Sequence, residues 1–258
     1  MGAENPNNQR KFTCVVLCGG QSLRTRFDLA GVNKLLAPIS GTPLLHHVLN
    51  TYYSTQLFNK FILCLGNERD VFQESLVSSP NYVNGQWNGV DLMILETGID
   101  VTATDRIYQS KKHIDDDVFF LSYGDVLSNI NFREMLTCHT RNKCEITIAL
   151  VKAKMPYGRV LIDNNNKVYE FIEKPILEHW INAGYFILNK NVFTEANINL
   201  EYEREFLPKF IEKKEKVVLG YKHYDYWKGI DTYKDIVELR NEWEEIKQSK
   251  LFPTQEVL

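Results

Sequence analysis

The sequence lacks the features that mark membrane proteins and nucleic-acid-binding proteins. No apolar run reaches the ~18 residues that a membrane-spanning helix needs, and residues 1–11 contain no apolar core of a signal peptide. The 30 Lys and Arg residues against 33 Asp and Glu residues leave a formal net charge of -3, which argues against a broad cationic surface for nucleic acid. We therefore expect a cytoplasmic protein without nucleic-acid or membrane partners. A local basic pocket for a small anion is still compatible with this charge.

Cysteine is scarce, and its spacing argues against a zinc site or a disulfide framework. The chain has five cysteines and no CxxC pair, so we expect buried or free thiols in a reducing compartment. Cys18 lies in a glycine loop, but no Cys-His pattern supports a nucleophilic role for it. The six histidines are scattered. We interpret His46 and His47, which fall on a predicted helix, as structural residues.

The composition and the pattern of elements that are present indicate one large α/β domain. The 258 residues are 44% hydrophobic and 24% charged, as in ordinary globular proteins. Strands and helices alternate in the first half, which predicts a Rossmann-like, doubly wound, mostly parallel sheet with helices on both faces. The predicted strands cover residues 12–17, 60–65, 91–96, 118–123 and 145–151, and the predicted helices cover residues 43–53, 68–76, 102–113 and 132–141.

The second half of the chain is predicted to continue this sheet and to build a small β-rich lid over it. The predicted elements are a hairpin at 158–162 and 168–172, strands at 180–188 and 217–223, and helices at 206–213 and 232–247. Two stretches, 78–89 and 226–232, are predicted to be loops. For the whole chain we expect a disordered tail at 1–11, a single domain at 12–248 and a C-terminal tail at 249–258.

The first candidate site is the glycine loop that follows the first predicted strand. The chain runs from buried Val15 and Val16 into Gly19-Gly20 and then carries the basic residues Arg24 and Lys34. Glycines let backbone N–H groups approach a phosphate, and the basic side chains supply charge. Because a two-glycine loop is a weak motif, a tight turn with solvated basic residues stays an equal alternative.

Carboxylates and a lysine at other strand ends form further candidates. Asp125 follows a buried strand at the sheet edge where ligands bind in such folds, and its carboxylate could hold Mg²⁺ or cap a turn. Asp231 precedes the closing helix, so it could be a second metal ligand or the N-cap of that helix. Lys174 could meet a phosphate and Glu173 a polyol, or the two could be a solvated surface pair.

Taken together with further motifs along the chain, these residues occur in an order that resembles the sugar-1-phosphate nucleotidyltransferases, most closely the glucose-1-phosphate cytidylyltransferase branch. The resemblance runs from residue 13 to residue 243. The stretches that carry it are Leu17-Cys18-Gly19-Gly20, Arg24 with Lys34, Gly41-Thr42-Pro43-Leu44-Leu45, Glu96-Thr97-Gly98 with Thr102 and Arg106-Ile107, Leu121-Ser122-Tyr123-Gly124-Asp125, Tyr157-Gly158-Arg159-Val160, Phe171-Ile172-Glu173-Lys174-Pro175, Trp180-Ile181-Asn182-Ala183-Gly184-Tyr185-Phe186 and Tyr226-Trp227 with Ile230-Asp231-Thr232.

The resemblance also implies a role for each matching residue. The implied catalytic residues are Arg24, Lys34, Asp125 and Lys174. The implied nucleotide-binding residues are Leu17, Gly19, Gly20, Gln21, Ser22, Thr97, Gly98, Thr102, Arg106 and Gly124. The implied acceptor-binding residues are Tyr123, Tyr157, Gly158, Glu173, Lys174, Asn182 and Trp227. The implied metal ligands are Asp125 and Asp231, which would hold Mg²⁺ as the cofactor.

The reaction implied by the resemblance is transfer of CMP from CTP to a phosphorylated acceptor, by default a sugar 1-phosphate such as glucose 1-phosphate. The acceptor phosphate would attack the α-phosphorus in line, and pyrophosphate would leave. Ser22 and Leu23 replace the Gly-Thr of the family loop, so GTP or UTP, and a heptose or non-sugar phosphate, stay open as substrates. The alternative outside the enzymes is a catalytically silent subunit that binds a sugar nucleotide. A homo-oligomer is compatible with the sequence.

Overall fold

The computed structural model describes residues 10–19, 33–66 and 68–248 of the chain. The strands are β1 (Phe12–Leu17), β2 (Pro38–Ile39), β3 (Thr42–Pro43), β4 (Phe58–Leu65), β5 (Tyr82–Val83), β6 (Gln86–Trp87), β7 (Val90–Glu96), β8 (Val118–Tyr123), β9 (Val126–Ser128), β10 (Ile146–Val151), β11 (Arg159–Ile162), β12 (Val168–Ile172), β13 (Ile181–Asn189), β14 (Val218–Lys222) and β15 (Trp227–Gly229). The helices are α1 (Leu44–Ser54), α2 (Arg69–Val77), α3 (Ala103–Ser110), α4 (Phe132–Arg141), α5 (Leu207–Ile211) and α6 (Tyr233–Gln248).

A nine-stranded sheet in the order β14-β10-β13-β8-β1-β4-β7-β6-β5 forms the centre of the fold. The pairs β1–β4, β1–β8, β4–β7 and β10–β14 are parallel, whereas β13 runs antiparallel between β8 and β10. This arrangement confirms the predicted mostly parallel α/β fold. The carboxyl ends of β1, β4, β7 and β8 therefore lie along one edge of the sheet, where ligands bind in doubly wound folds.

The strand β1 is buried on both of its faces. Val16 belongs to the apolar cluster that includes Leu45 of α1, and Val15 belongs to a separate cluster that includes Ile107 of α3. Both valines are fully buried. A strand covered by helices on both faces needs apolar residues at every position, which explains its continuous apolar sequence.

Two stretches predicted to be loops contain strands instead. Within 78–89, β5 and β6 form a hairpin at the sheet edge. Its turn residues Asn84 and Gly85 both have positive φ, 51° and 80°, as a two-residue Asn-Gly hairpin turn requires. Within 226–232, β15 pairs antiparallel with β9. The prediction for 78–89 missed the local Asn-Gly turn signal. The strand β15 within 226–232, in contrast, exists only because the distant strand β9 pairs with it.

The remaining predictions concern the second half and the termini. The strands β11 and β12 form a separate two-stranded sheet, as predicted for the lid, and a π-helical turn (Tyr202–Phe206) precedes α5. All five cysteines are free, and four of them are buried, which confirms the interpretation of the thiols. No helix in the described part of the chain is long and apolar enough to cross a membrane. The predicted tails fall outside the described residues except for Arg10 and Lys11, so the domain boundaries stay predictions.

Candidate active site

Lys34 and Asp125 form the centre of the candidate site. The backbone N–H of Gly124 donates to the Leu17 carbonyl at 3.0 Å, which fixes the chain just past the ends of β1 and β8. Asp125 comes next, and its Oδ2 lies 2.5 Å from the Nζ of Lys34. The Lys34 side chain is only 15% exposed. The sheet edge therefore holds a largely buried lysine against a carboxylate.

A second carboxylate, from Asp231, reaches the same lysine. Its Oδ1 lies 3.6 Å from the Nζ of Lys34. The ribbon of β9 and β15 brings it there: Gly229 pairs with Val126, and the backbone N–H of Ile230 donates to the Asp125 carbonyl at 2.9 Å. The two carboxylates predicted to act together are thus joined through their own backbone segments and through one ammonium group.

The N-cap alternative for Asp231 is wrong, because Thr232 caps α6. The Thr232 hydroxyl accepts from the Asp235 backbone N–H at 3.3 Å, and the Asp235 carboxylate accepts from the Thr232 N–H at 2.7 Å. This reciprocal pair is a capping box. The backbone N–H of Asp231 also donates to Asp235. The Asp231 carboxylate is therefore free of a capping role and available at the site.

Asn33 was missed by the sequence analysis, although it positions Lys34. Its Oδ1 accepts from the Leu35 backbone N–H at 3.0 Å, which caps the single 3₁₀ turn Lys34–Leu36. Its Nδ2 donates to Glu68 Oε2 at 2.6 Å. An Asn before a short helical turn is a capping signal that the sequence carried.

Arg106, predicted to bind the nucleotide, is buried at the ends of β4 and β7. It is 4% exposed, and its guanidinium donates to the Leu65 carbonyl at 3.0 Å, the Ile99 carbonyl at 3.4 Å and the Thr97 hydroxyl. Burial lowers the pKa of Arg106. Because these acceptors lie at the ends of β4 and β7, the arginine joins the strand ends beside the glycine loop.

Two predicted glycine positions are close-packed against neighbouring side chains. A Cβ on Gly19 would lie 2.6 Å from Nη1 of Arg106, and a Cβ on Gly124 would lie 3.1 Å from Cδ1 of Leu35 and 3.3 Å from the sulfur of Cys18. Only glycine fits Gly19 without displacing the guanidinium. Burial, with smaller contributions from Cys64 and Asp125, raises the pKa of the Cys18 thiol, which disfavours the thiolate that a nucleophile would need.

Two predicted nucleotide-binding threonines have their hydroxyl groups engaged within the protein. The Thr97 hydroxyl donates to the Leu65 carbonyl at 2.7 Å. The Thr102 hydroxyl accepts from the Asp105 backbone N–H at 3.2 Å, as the N-cap of α3. Gly98, between them, has a φ of 103°, a conformation that glycine adopts readily. Thr102 thus has a structural role in the start of α3.

The predicted acceptor residues Tyr123, Asn182 and Trp227 meet around the first residues of β13. The Asn182 side chain accepts from the Gly184 N–H at 2.9 Å, and the Trp227 indole donates to the Ala183 carbonyl at 2.8 Å. Gly184 has a φ of 79°, and a Cβ there would lie 3.2 Å from the Tyr123 ring. These side chains border the same sheet edge as Asp125.

Glu203 is a residue of this edge that the sequence analysis missed. The Tyr123 hydroxyl donates to its Oε1, and desolvation raises the pKa of the Glu203 carboxyl. Glu203 belongs to the π-helical turn Tyr202–Phe206, an element that is frequent at functional sites. Nothing in the local sequence distinguishes it from its acidic neighbours, because only the tertiary fold brings it to Tyr123.

The other predicted acceptor residues flank the lid hairpin of β11 and β12. Tyr157 is 74% exposed, and a Cβ on Gly158 would lie 3.0 Å from the Glu173 carboxylate. Lys174 has a φ of 45°, an unfavourable conformation before proline that costs about 1–2 kcal/mol. Among the described residues, no hydrogen bond or ion pair joins Glu173 or Lys174 to Asp125. The predicted acceptor residues thus come from two parts of the chain, the ends of the lid hairpin and the segments around β13.

Four predicted site residues, Gly20, Gln21, Ser22 and Arg24, lie outside the described residues. For the metal, the carboxylates of Asp125 and Asp231 are the hard oxygen donors that Mg²⁺ prefers. Nowhere in the described ranges do three or more His, Cys, Asp or Glu side chains converge. A two-carboxylate set fits Mg²⁺, which commonly binds one or two carboxylates together with substrate phosphates and water.

Comparison with known proteins agrees with this geometry. The family profile "Nucleotidyl transferase" matches residues 13–246. A probable glucose-1-phosphate cytidylyltransferase from Bacillus subtilis (strain 168) is 32% identical, over 91% of this chain and 97% of the relative. A D-glycero-alpha-D-manno-heptose 1-phosphate guanylyltransferase from Aneurinibacillus thermoaerophilus is 26% identical, over 78% of this chain and 86% of the relative.

A solved structure has the same fold. HddC from Yersinia pseudotuberculosis complexed with GMP-PN superposes with a TM-score of 0.71 at 20% identity, over 90% of this chain and 99% of that chain. The chain therefore belongs to the nucleotidyl transferase family and is an enzyme of the sugar-1-phosphate nucleotidyltransferase class.

Proposed function

We propose that this enzyme transfers CMP from CTP to a sugar 1-phosphate, by default glucose 1-phosphate, and releases pyrophosphate in a Mg²⁺-dependent reaction. The observation that carries the proposal is the convergence of Lys34, Asp125 and Asp231 at the carboxyl edge of the sheet. The choice of CTP and glucose 1-phosphate is supported by the name of the Bacillus subtilis relative.

In this proposal the residues around β1 bind the nucleotide. Gly19 presents backbone to the phosphates, because the space of its missing Cβ is taken by the Arg106 guanidinium. Lys34 and Arg24 contact the triphosphate. Asp125 and Asp231 hold Mg²⁺, which when bound neutralises the charge of the phosphates.

The acceptor binds on the side of β13. Tyr123 and Asn182 border this side of the sheet edge, and Glu173 and Lys174 approach from the lid hairpin. Lys174 contacts the acceptor phosphate, and Glu173 contacts the hydroxyl groups of the sugar. The left-handed backbone of Lys174 supports this assignment, because such strain is concentrated at functional sites.

The chemistry needs positioning and charge neutralisation rather than a strong base. A phosphate oxygen of the acceptor attacks the α-phosphorus of CTP, and the bond to the bridging oxygen of pyrophosphate breaks. An acceptor monophosphate is mostly ionised near neutrality, so no side chain has to remove a proton. The site fits this requirement, since its central side chains are a lysine and two carboxylates.

A second candidate is the same chemistry with GTP and a heptose 1-phosphate. It is favoured by the guanylyltransferase from Aneurinibacillus thermoaerophilus and by the GMP-PN complex of HddC. The base would be read near Gln21 and Ser22 of the glycine loop and near Thr97.

The test is pyrophosphate release with CTP, GTP, UTP, ATP and dTTP, each combined with glucose, mannose and heptose 1-phosphates and with inositol 1-phosphate. We expect kcat/KM for CTP with glucose 1-phosphate to exceed every other pair by at least about tenfold, equivalent to about 1.4 kcal/mol. Mass spectrometry of the product identifies the base and the acceptor. Preferred release with GTP would overturn the choice of nucleotide, and no release with any pair would overturn the proposed reaction.

A further inference from the structure

We propose that Lys34 occupies the position of the metal until the nucleotide arrives, so that the enzyme takes up Mg²⁺ together with the triphosphate and not before it. This inference rests on the proposed function, which assigns Asp125 and Asp231 to the metal. It adds an order of binding and a second role for Lys34, which would exchange its carboxylate partners for phosphates during each turnover.

The first argument is the space between the two carboxylates. The Nζ of Lys34 lies 2.5 Å from Oδ2 of Asp125 and 3.6 Å from Oδ1 of Asp231. Mg²⁺ binds carboxylate oxygens at about 2.1 Å. A metal ion bound to both oxygens and an ammonium group in contact with both would overlap, because they need the same volume. The two cations therefore exclude each other at this position.

The second argument is how firmly Lys34 is held. Its turn is capped by Asn33, and Leu35 is buried with its Cδ1 directed at Gly124. The backbone of Lys34 is thus anchored to the strand end that carries Asp125. Only the flexible side chain of Lys34 can leave the carboxylates, by rotation about its four methylene groups.

The third argument is the charge balance of the exchange. Lys34 is 15% exposed, so within the site its ammonium group needs an anionic partner. A metal ion arriving alone would displace Lys34 and leave two cations side by side without a new anion. A metal–triphosphate complex supplies that anion, because its phosphate oxygens accept the displaced ammonium group. Metal binding and nucleotide binding are therefore coupled through Lys34.

Asp231 is the ligand that adjusts during this exchange. Its side chain is 84% exposed, against 26% for Asp125. Asp125 is the closer partner of Lys34, and its backbone carbonyl accepts from Ile230. We therefore expect Asp125 to stay in place and Asp231 to approach the metal as Lys34 withdraws.

The protein provides a matched control lysine on β15, whose carboxylate partners are not the proposed metal ligands. Lys228 also lies between two carboxylates, 3.6 Å from Glu238 and 3.0 Å from Glu242, and its side chain is also 15% exposed. Glu238 and Glu242 lie on α6 and take no part in the proposed reaction. Removal of Lys228 therefore tests whether freeing any carboxylate pair creates a metal site.

The experiment measures binding of Mn²⁺ by electron paramagnetic resonance to the full chain without nucleotide. The proteins compared are the wild type, Lys34→Met, Lys228→Met and the double variant Lys34→Met/Asp125→Asn. We expect Lys34→Met to bind Mn²⁺ at least about tenfold more tightly than the wild type, because the competing cation is gone. The gain should disappear in the double variant, and Lys228→Met should bind like the wild type.

The outcomes separate this inference from the proposed function. Equal Mn²⁺ affinity of the wild type and Lys34→Met, whether tight or undetectable, overturns the exchange. A gain that persists in the double variant, or that Lys228→Met reproduces, also overturns it. Absence of Mn²⁺ binding to the wild type even with CTP present overturns the metal assignment itself. Should thermal unfolding show that Lys34→Met is not folded, Lys34→Gln replaces it in the same comparison.

Discussion

The backbone N–H of Ile230 donates to the carbonyl oxygen of Asp125 at 2.9 Å. This single hydrogen bond joins the segment before α6 to the end of β8 and continues the ladder of β9 and β15. It places Asp231 next to Asp125 although the two are far apart in the sequence. The geometry of the proposed metal site is thus set by main-chain pairing, which is less sensitive to side-chain substitution than an ion pair.

Asp125 tests the metal assignment. We expect Asp125→Asn to lower kcat by at least about a hundredfold, because a neutral amide is a poor Mg²⁺ ligand, while the melting temperature stays near that of the wild type. Steady-state pyrophosphate release and thermal unfolding measure the two effects. Asp91→Asn, at an exposed position on β7, is the control. A rate near that of the wild type in Asp125→Asn would refute the assignment.

Gly19 tests the packing of the glycine loop on Arg106. A Cβ at this position would lie 2.6 Å from Nη1 of the buried guanidinium, so we expect Gly19→Ala to lower the free energy of unfolding by about 1–3 kcal/mol. Gly66→Ala is the matched control, since the nearest atom to its Cβ is 3.8 Å away. Denaturant unfolding of both variants gives the difference. Equal stability of the two variants would contradict the close packing.

Tyr123 and Glu203 test the extent of the acceptor side. We expect Glu203→Gln and Tyr123→Phe each to raise KM for the sugar phosphate about threefold to tenfold, the effect of weakening one hydrogen bond of about 1 kcal/mol. KM for the nucleotide should stay the same, because Tyr123 lies against Gly184 of β13, on the side of the edge that the proposal assigns to the acceptor. Glu212→Gln, at an exposed position, serves as the control. An equal rise in both KM values would indicate general disruption and contradict an acceptor-side role.

The buried side chain of His46 should make the free energy of unfolding depend on pH. Burial, with a smaller contribution from His47, lowers the pKa of His46 from 6.5 to about 4, and its ring contacts Ser75 and Trp87. Between these two pH values the unfolded chain binds a proton that the native protein does not. The free energy of unfolding therefore falls as the pH is lowered from 6.5 to 4.

The contribution of His46 to this pH dependence is measured by replacement. We expect His46→Gln to unfold with a flatter pH dependence than the wild type over pH 4–6.5, because one proton is removed from the linkage. Denaturant titrations at several pH values give the slopes. The exposed His179, replaced by Gln, should leave the slope unchanged, and an unchanged slope in His46→Gln would disprove the role of His46.

Local sequence patterns predicted the central elements well, because burial in the core requires apolar residues at regular positions along each element. The strands β1, β4 and β8 are short runs of mostly apolar, buried residues, and β7 alternates buried with exposed or half-buried residues; both patterns are recognisable in the sequence. The hairpin of β5 and β6 was missed even though Asn84-Gly85 is a strong turn signal. That error came from reading a polar stretch as a loop without testing its turn type.

The sequence by itself determined the family and the order of the central strands and helices, and it named the two carboxylates and the lysine as candidates, because each of these lies in a recognisable motif. The tertiary structure alone decided that Lys34 contacts both carboxylates and that Glu203 meets Tyr123. These relationships join segments far apart in the chain. They depend on strand pairing and side-chain burial, which no local pattern encodes.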